Sequence, residues 1–161
     1  MKYDPELHIV LYQPEIPHNA GSVGRTCVAV GAKLWMVRPL GFRVDDYHLR
    51  RAGLDYWEHL EWEVVDDWTH LSQRLGESGV SDRLQYYLTK RGTRSYLDVA
   101  YGRGDVFVFG SESQGLPDSM IAQAGDRALK IPIRPAVRSL NLSNSVAVVA
   151  YEALRQWSHD T

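Results

Sequence analysis

The sequence predicts an α/β protein in which helices cover both faces of a parallel sheet. Short apolar segments alternate with helical segments along the chain, and this alternation is typical of parallel strands joined by crossover helices. The strand segments are apolar throughout instead of alternating with polar residues, as expected of strands with two buried faces. Because the 161 residues contain no repeat, low-complexity tract or linker, we predict a single domain over residues 1–161.

Local signals place the elements of the amino-terminal half. The apolar run at 7–12 is predicted to form a strand that ends before Pro14. Asn19 is predicted to cap a helix that Gly31 stops after about residue 29. The same kinds of pattern predict, in order, a strand at 34–38, a short helix at 45–53, a strand at 62–65 and a helix at 67–75.

The carboxyl-terminal half ends in an unusually apolar helix. Two strands, 84–89 and 105–110, precede a helix at 117–125 with Pro117 in its first turn, and a last strand at 127–133 precedes a last helix at 143–157. In that last helix a stripe at helical spacing contains Val146, Val149, Ala150, Ala153, Leu154 and Trp157. Such a helix is either deeply buried or packed against a second subunit, and for a terminal helix we favour the subunit interface.

Bulk composition narrows the class of protein. Hydrophobic residues make up 44% of the chain and charged residues 24%, which is ordinary for a soluble globular protein. The polar amino terminus is not a signal peptide, and no apolar run is as long as a membrane span. The single cysteine, Cys27, excludes an internal disulfide and fits a reducing compartment. We therefore expect a cytoplasmic protein with no membrane association.

Charge is distributed unevenly, although the net charge is only −2. Residues 55–82 contain eight acidic side chains and a single basic one, Arg74, whereas basic side chains cluster in other parts of the chain. An acidic face opposite a basic face is compatible with a partner that carries phosphates. Ordinary solvated surface charge is the alternative for each single cluster.

Three polar segments follow predicted strands and should meet at the carboxyl edge of the sheet, where parallel α/β proteins bind ligands. The first, 14–26, contains Asn19 and Arg25, and Arg25 is expected in the second helical turn, reaching back over the strand ends. The second, 109–117, has one carboxylate, Glu112. The third, 131–144, is rich in proline, serine and asparagine, and its short side chains can bind a ligand or cap the last helix.

Several common sites are excluded by their missing motifs. The first segment lacks the Gly-Lys-Ser/Thr ending of a phosphate-binding loop, and the chain has no G-x-G-x-x-G dinucleotide fingerprint. The six histidines are scattered without a pair at ligand spacing, so we expect no metal site. No arrangement of serine, histidine and aspartate suggests a hydrolase triad.

Taken together, the polar segments resemble a known family. In order and spacing, IVLYQPEIPHNAGSVGRTC, RRAGLDYWE, LTKRGT, FGSESQGLP and IPIRPAVRSLNLSNSVAVVAYEALRQ are similar to the SPOUT class of RNA methyltransferases. Within that class the chain resembles the bacterial tRNA (cytidine/uridine-34) 2′-O-methyltransferases, because it has RRAGLDYW and no added RNA-binding domain. The resemblance covers nearly the whole chain.

The resemblance implies a fold, a cofactor and an assembly that local patterns alone do not predict. The fold would be the α/β-knot, in which the carboxyl-terminal loops and helix form a deep trefoil knot. The cofactor would be S-adenosylmethionine, with S-adenosylhomocysteine as product and no metal. It would lie against Leu88, Gly110, Ile131 and Ser139, with Leu140 nearby. The assembly would be a homodimer formed through the last helix, in agreement with the apolar stripe.

The resemblance also implies the roles of individual residues. Arg25 matches the position that the family uses as its base, although a guanidinium is normally protonated and can instead stabilise the alkoxide or hold a phosphate. Asn19 and Asn141 would orient Arg25 and the ribose, and Glu112 would orient its neighbours. The plainer alternatives are a surface salt bridge for Arg25 and a cap of the 117–125 helix for Glu112.

The implied substrate is a tRNA anticodon stem-loop, methylated on the ribose 2′-hydroxyl of its wobble nucleotide, cytidine or modified uridine 34. Candidates for contacts with RNA are Arg43, Arg50, Arg51, Lys90, Arg91, Arg138 and Tyr151. For Tyr151 a place in the dimer core is an equal alternative. Two other functions stay open: 2′-O-methylation of another tRNA or ribosomal RNA position, and RNA binding by a knotted protein without turnover.

Overall fold

The computed structural model describes residues 3–45, 49, 51, 56–80 and 85–158. In these residues seven strands form one fully parallel sheet: β1 (Leu7–Tyr12), β2 (Ala32–Val37), β3 (Trp62–Val65), β4 (Gln85–Leu88), β5 (Arg94–Ser95), β6 (Val106–Phe109) and β7 (Ala128–Lys130). Their order across the sheet is β3-β2-β1-β6-β4-β7-β5. The predicted parallel sheet is confirmed.

Helices cover both faces, as the sequence predicts. They are α1 (Pro17–Val30), α2 (Trp68–Glu77), α3 (Asp118–Ala124) and α4 (Leu142–Ser158). Helices α1 and α4 pack on one face around Ile9 and Phe107, whereas α2 and α3 pack on the other face around Val10 and Val108. Neighbouring residues of a strand therefore enter opposite cores, which explains why the strand segments are apolar without alternation.

The helix boundaries follow from local chemistry, with one correction. Gly31 ends α1 in the left-handed conformation, φ 74°, and Asp67 caps α2 by accepting a hydrogen bond from the backbone N–H of His70 at 2.8 Å. The prediction that Asn19 caps the first helix is wrong. Helix α1 begins at Pro17, with Ile16 as its N-cap residue, and the apolar side chain of Ile16 makes no capping hydrogen bond. Proline suits this first turn because it lacks an N–H.

The last third of the chain departs most from the predicted elements. Strand β7 ends at Lys130, and residues 131–141 are irregular, so the predicted strand at 127–133 is shorter than expected.

The short strand β5 has no counterpart in the prediction, because two residues give no pattern. The helix predicted at 45–53 lies largely outside the described residues. Among the residues that are described, no helix combines the length and apolar character that a membrane crossing requires.

The last helix has the predicted buried stripe. Val146, Val149, Ala150 and Ala153 are fully buried and Trp157 nearly so. Tyr151, on the opposite side, leaves 52% of its surface exposed. One side of α4 therefore belongs to the core that it shares with α1.

Candidate functional site

The three polar segments meet at the carboxyl edge of the sheet, as predicted, and enclose a cavity of about 580 Å³. That volume is in the range of small-molecule sites. Its walls include four short stretches, namely Leu88–Arg91, Phe109–Leu116, Ser139–Leu142 and the start of α1 with Ile16 and Asn19, together with Ile131, Ile133 and Ser145. All five residues of the predicted cofactor site, Leu88, Gly110, Ile131, Ser139 and Leu140, line this one cavity.

A chain of side-chain hydrogen bonds joins the three segments. The Asn19 amide nitrogen donates to the Glu112 carboxylate at 3.3 Å. The Asn19 amide oxygen accepts from the Asn141 amide nitrogen at 3.2 Å. Asn19 leaves only 7% of its surface exposed, so this network fixes the orientation of its amide. The structure thus brings together three of the four predicted catalytic residues.

Glu112 also caps the beginning of α1. Its two carboxylate oxygens accept from the backbone N–H of Glu15 at 2.8 Å and of Ile16 at 2.7 Å. The backbone N–H groups at the start of a helix lack intrahelical partners, and a negative charge there is favourable. Glu112 therefore caps a helix, but this helix is α1 and not the predicted 117–125 helix.

Glu15 in turn accepts hydrogen bonds from the loop that contains Glu112. Its carboxylate accepts from the backbone N–H of Ser113 at 3.0 Å and from the Ser113 hydroxyl at 2.6 Å. These two hydrogen bonds lower the pKa of Glu15 because they stabilise its charged form. The reciprocal pair of carboxylates holds the segments 14–16 and 111–115 together at the cavity wall.

Glycine at 110 is required because the loop after β6 approaches its own backbone closely. A side-chain carbon at Gly110 would lie 2.2 Å from the carbonyl carbon of Gly115 and 2.5 Å from the nitrogen of Leu116. The loop after β6 therefore folds back on its own backbone, and no larger residue fits at Gly110. This turn presents Glu112 toward α1.

Asn141 performs the capping predicted for the polar loop. Its amide oxygen accepts from the backbone N–H of Ser143 at 2.9 Å and from the Ser143 hydroxyl at 2.7 Å. The side chain thus caps α4 with its oxygen while its nitrogen bonds Asn19. The predicted helix cap is confirmed for Asn141, and the same residue lies in the cavity wall.

Arg25 is not brought into the cavity. It lies in the third turn of α1, not the second, because the helix begins at Pro17. A rise of about 1.5 Å per residue puts it about 9 Å further along the helix than Asn19. Its guanidinium carbon lies 4.7 Å from the centre of the Tyr56 ring. The expectation that Arg25 reaches back over the strand ends is wrong for this single chain.

The candidate RNA-binding residues occupy different environments. Lys90 and Arg91 line the cavity, and Arg91 is ion-paired with Asp118 and donates to the Leu116 carbonyl at 3.2 Å. Arg43 forms a bidentate ion pair with Asp45, in which Nε and Nη2 lie 3.1 and 3.2 Å from the two carboxylate oxygens. Arg51, Arg138 and Tyr151 are exposed, and Arg50 lies outside the described residues.

Several wall residues were not predicted. Ile16, Ile133 and Ser145 line the cavity, and Ile16 and Ile133 expose 45% and 37% of their surfaces. The signal was available, since large apolar residues within polar loops indicate a binding surface. No cluster of three or more metal-ligating side chains is found in the described part of the chain.

Comparison with known proteins gives consistent matches. The family model for the SpoU rRNA methylase family matches residues 6–151. The tRNA (cytidine(34)-2′-O)-methyltransferase of Methylovorus glucosotrophus (strain SIP3-4) is 44% identical over 153 residues, covering 94% of this chain and 95% of the relative.

Solved structures agree with this sequence match. One, from work on the 2-OH methylation of C/U34 on tRNA, superposes with a TM-score of 0.86 at 43% identity, covering 95% of this chain and 97% of the other. The SpoU methyltransferase AviRb from Streptomyces viridochromogenes has a TM-score of 0.83 at 21% identity, covering 99% of this chain and 61% of the other. At that lower identity the likeness is one of fold.

Proposed function

The chain belongs to the SpoU rRNA methylase family, and we infer that it is a tRNA (cytidine(34)-2′-O)-methyltransferase. It transfers a methyl group to the ribose 2′-hydroxyl of the wobble nucleotide, cytidine or modified uridine 34. The observation that carries this inference is the match over 94% of the chain to a relative with this activity, and the hydrogen-bonded chain from Glu112 through Asn19 to Asn141 beside a cavity of ligand size supports it. Relatives that match over nearly their whole length have this activity in their names.

We propose that the cavity is the site of S-adenosylmethionine, and the wall chemistry fits that molecule. Leu88, Ile131 and Leu140 supply apolar surface for a flat purine, and Leu140 leaves 37% of its surface exposed although it is apolar. Hydroxyl and amide groups of Ser139 and Asn141, together with nearby backbone, supply partners for the sugar and amino-acid portions. When bound, the cofactor supplies an electrophilic methyl group on a sulfonium.

The protein must align the ribose hydroxyl and stabilise charge on its oxygen as the proton leaves. Alignment of reacting groups can account for about 7–11 kcal/mol of a barrier. Asn19 and Asn141 are positioned for alignment, because each amide is held by partners on two sides. Arg25 is a permanent cation, so we propose that it stabilises the developing oxyanion or holds the adjacent phosphate.

Glu112 supports this arrangement through hydrogen bonds to Asn19 and to the backbone before α1. Its carboxylate accepts three hydrogen bonds, from two backbone N–H groups and from Asn19. We propose that it acts by positioning Asn19 and the start of α1, without direct contact with the ribose.

We propose that the carboxyl-terminal segment forms a trefoil knot. Strands β4 and β5 are joined by only five residues, 89–93, yet they lie on opposite sides of β7. A side-chain carbon at Gly92 would lie 2.5 Å from the Leu129 carbonyl carbon, so this short loop crosses directly over β7. The chain after β7 then continues to α4, which packs beside α1. A short loop tightly crossing a strand that continues beyond it is the arrangement a knot requires.

We further propose a homodimer in the cytoplasm that uses the exposed side of α4. That side contains Tyr151, which is 52% exposed, next to the half-buried Ala147, Val148 and Leu154. A second subunit could also bring basic side chains toward the cavity, which would give a role to Arg25 and to the exposed Arg138.

The test is methyl transfer from labelled S-adenosylmethionine to tRNA from cells that lack the wobble 2′-O-methyl group. Nuclease digestion and mass spectrometry should place the label on nucleotide 34. A matched anticodon stem-loop with 2′-deoxyribose at position 34 should accept no methyl group, because it lacks the nucleophile.

A ribose methyl group on another tRNA or ribosomal RNA position would keep the chemistry and overturn the choice of substrate. Absence of both transfer and cofactor binding, with RNA still bound, would favour a protein that binds RNA without turnover.

A further inference from the structure

Within the part of the chain that the structure describes, Arg25 contacts an aromatic ring and no carboxylate. Its guanidinium carbon lies 4.7 Å from the centre of the Tyr56 ring. Among the described residues, no acidic side chain is within ion-pair distance of Arg25. Arg43 and Arg91, in contrast, are neutralised by Asp45 and Asp118. Tyr56 is thus the side chain that the described residues place against the Arg25 cation.

Tyr56 is itself fixed against α1. It precedes a single 3-10 turn, Trp57–His59, and its carbonyl accepts from the His59 N–H at 2.9 Å. The Trp57 ring packs on α1 at Gly24, where a side-chain carbon would be only 3.2 Å from the ring. Gly24 directly precedes Arg25 in the chain. The contact between Trp57 and Gly24, which holds Tyr56 against α1, is therefore next to Arg25.

A guanidinium that stacks with its plane on the ring keeps its reactive edge available. A guanidinium is planar, with five N–H donors in its plane, so stacking uses a face and spares the edge. An ion pair would instead occupy the donors and cancel the charge. A ring also restricts the rotamers of a long side chain that would otherwise be mobile. Tyr56 can therefore fix the direction of the donors without competing for them.

We propose that Tyr56 is a positioning residue that holds the guanidinium of Arg25 in the orientation used for methyl transfer. This inference rests on the proposed function, because it assigns Tyr56 a role only through Arg25. The ring and not the hydroxyl is required, since the contact is with the face of the ring.

The stacking itself is tested by NMR without cofactor or RNA. In protein labelled with ¹⁵N-arginine, the ring current of Tyr56 should shift the Arg25 Nε–H resonance upfield, and Arg25→Lys identifies that resonance. The shift should disappear in Tyr56→Leu and persist in Tyr56→Phe. An unchanged resonance in Tyr56→Leu would overturn the inference.

The positioning role is tested by kinetics on the same variants. Tyr56→Leu should lower kcat for tRNA about threefold to tenfold, the size expected for loss of one cation–π contact, with the Kd for S-adenosylmethionine unchanged. Tyr56→Phe should restore kcat. Should Tyr56→Leu fail to fold, Tyr56→Met, which also lacks an aromatic face, takes its place.

A control removes a different cation–π contact, together with the ion pair between Arg103 and Glu6. Arg103 lies 5.1 Å from the Trp157 ring, at the amino edge of the sheet and outside the cavity wall. Arg103→Leu should leave kcat unchanged.

The outcomes separate the two proposals. Wild-type kcat in Tyr56→Leu, or an equal loss in Tyr56→Phe, would overturn the positioning role while the proposed function stands. A weakened cofactor Kd with unchanged kcat would show a structural role and also overturn it. No transfer by the wild-type protein, with the NMR shift present, would overturn the proposed function and with it the positioning role, and leave only the stacking.

Discussion

The two edges of the parallel sheet use polar groups in opposite ways. At the amino edge, Lys33 pairs with Glu63 at 3.2 Å, and Arg74 pairs with the same carboxylate at 2.6 Å. Arg74 also pairs with Glu77, so two cations and two carboxylates neutralise one another between β2, β3 and α2. At the carboxyl edge, Glu112, Asn19 and Asn141 bond one another but border an open cavity. At the amino edge, charged side chains that are fully ion-paired stabilise the fold. At the carboxyl edge, the hydrogen-bonded side chains border a cavity and have groups available for a ligand.

The largest expected effect is on methyl transfer, and it distinguishes Arg25 from Arg74. Arg25→Ala should lower methyl transfer by roughly 10²–10³-fold, because it removes the cation that would stabilise the oxyanion. The Kd for S-adenosylmethionine should stay unchanged, since Arg25 is not part of the cavity wall. Arg74→Ala at the amino edge should lower the Tm and leave kcat unchanged. Transfer assays, calorimetric cofactor titration and thermal melts check these results. Near-normal transfer by Arg25→Ala would remove its catalytic assignment.

Two glutamates give the next effect. Glu112→Ala leaves the N–H groups of Glu15 and Ile16 and the Asn19 amide without their acceptor. We expect the free energy of unfolding to fall by about 1–3 kcal/mol and kcat to fall at least tenfold. Glu63→Ala should cost stability without lowering kcat, because its partners lie far from the cavity.

Urea unfolding and kcat measured on both glutamate variants provide the check. The distinction between the edges would be lost if Glu63→Ala lowered kcat as much as Glu112→Ala does. Glu112→Gln, which keeps one acceptor oxygen, should be intermediate.

Acid should also lower the stability of the protein through His8, at the amino edge of the sheet. Burial, and secondarily Lys33, lowers the pKa of His8 from its ordinary 6.5 to about 4, and its Nδ1 accepts from the buried Trp35 N–H at 3.0 Å. Since the folded pKa is depressed below the unfolded one, the unfolded chain binds the proton more readily. Stability should therefore be fully present above pH 6.5 and decrease by about 3 kcal/mol as pH falls toward 4.

Urea titrations at pH 7 and pH 4.5 measure this decrease, and His8→Gln is the control. The variant should lose stability at both pH values but show a smaller difference between them. An identical pH dependence in His8→Gln would exclude His8 as the cause.

The smallest effect compares two exposed arginines in RNA binding. Arg138 has no ion-pair partner among the described residues, whereas Arg43 is paired with Asp45. Arg138→Ala should weaken tRNA binding several-fold and reduce the slope of log K against log salt concentration by about 0.7–0.9. Arg43→Ala should change the slope less, because part of its charge is already neutralised. Filter binding from 50 to 200 mM salt measures both slopes, and equal slopes would show that ion pairing does not decide which arginines bind RNA.

Sequence patterns predicted most of the sheet, because an apolar run between turn signals has few other structures open to it. Strands β1 and β3 have the predicted bounds. The five cofactor residues were predicted by the family resemblance and not by local patterns, and all of them line one cavity. The errors arose where long-range contacts override local preference. Asn19 has the chemistry of a cap, but Glu112, 93 positions away, caps the helix and bonds Asn19 as well. No local pattern contains that information.

The position of Arg25 illustrates a second limit. Its spacing from Asn19 predicted proximity to the site, yet the start of α1 at Pro17 moves it to the third turn and beside Tyr56. The family resemblance predicts a catalytic role for Arg25, but the described contact of its guanidinium is with Tyr56 and not with the cavity wall.

The hydrogen bond between Asn19 and Asn141 joins residues 122 positions apart, and this separation has a consequence during synthesis. A ribosome that adds about 5–20 residues per second needs on the order of ten seconds to make that intervening chain. Throughout that interval Asn19 has been translated but its partner has not. A truncated polypeptide that ends before Ser139 would lack the Ser139–Leu142 wall of the cavity and the Asn141 partner of Asn19, so such a prematurely terminated translation product should be inactive from the outset.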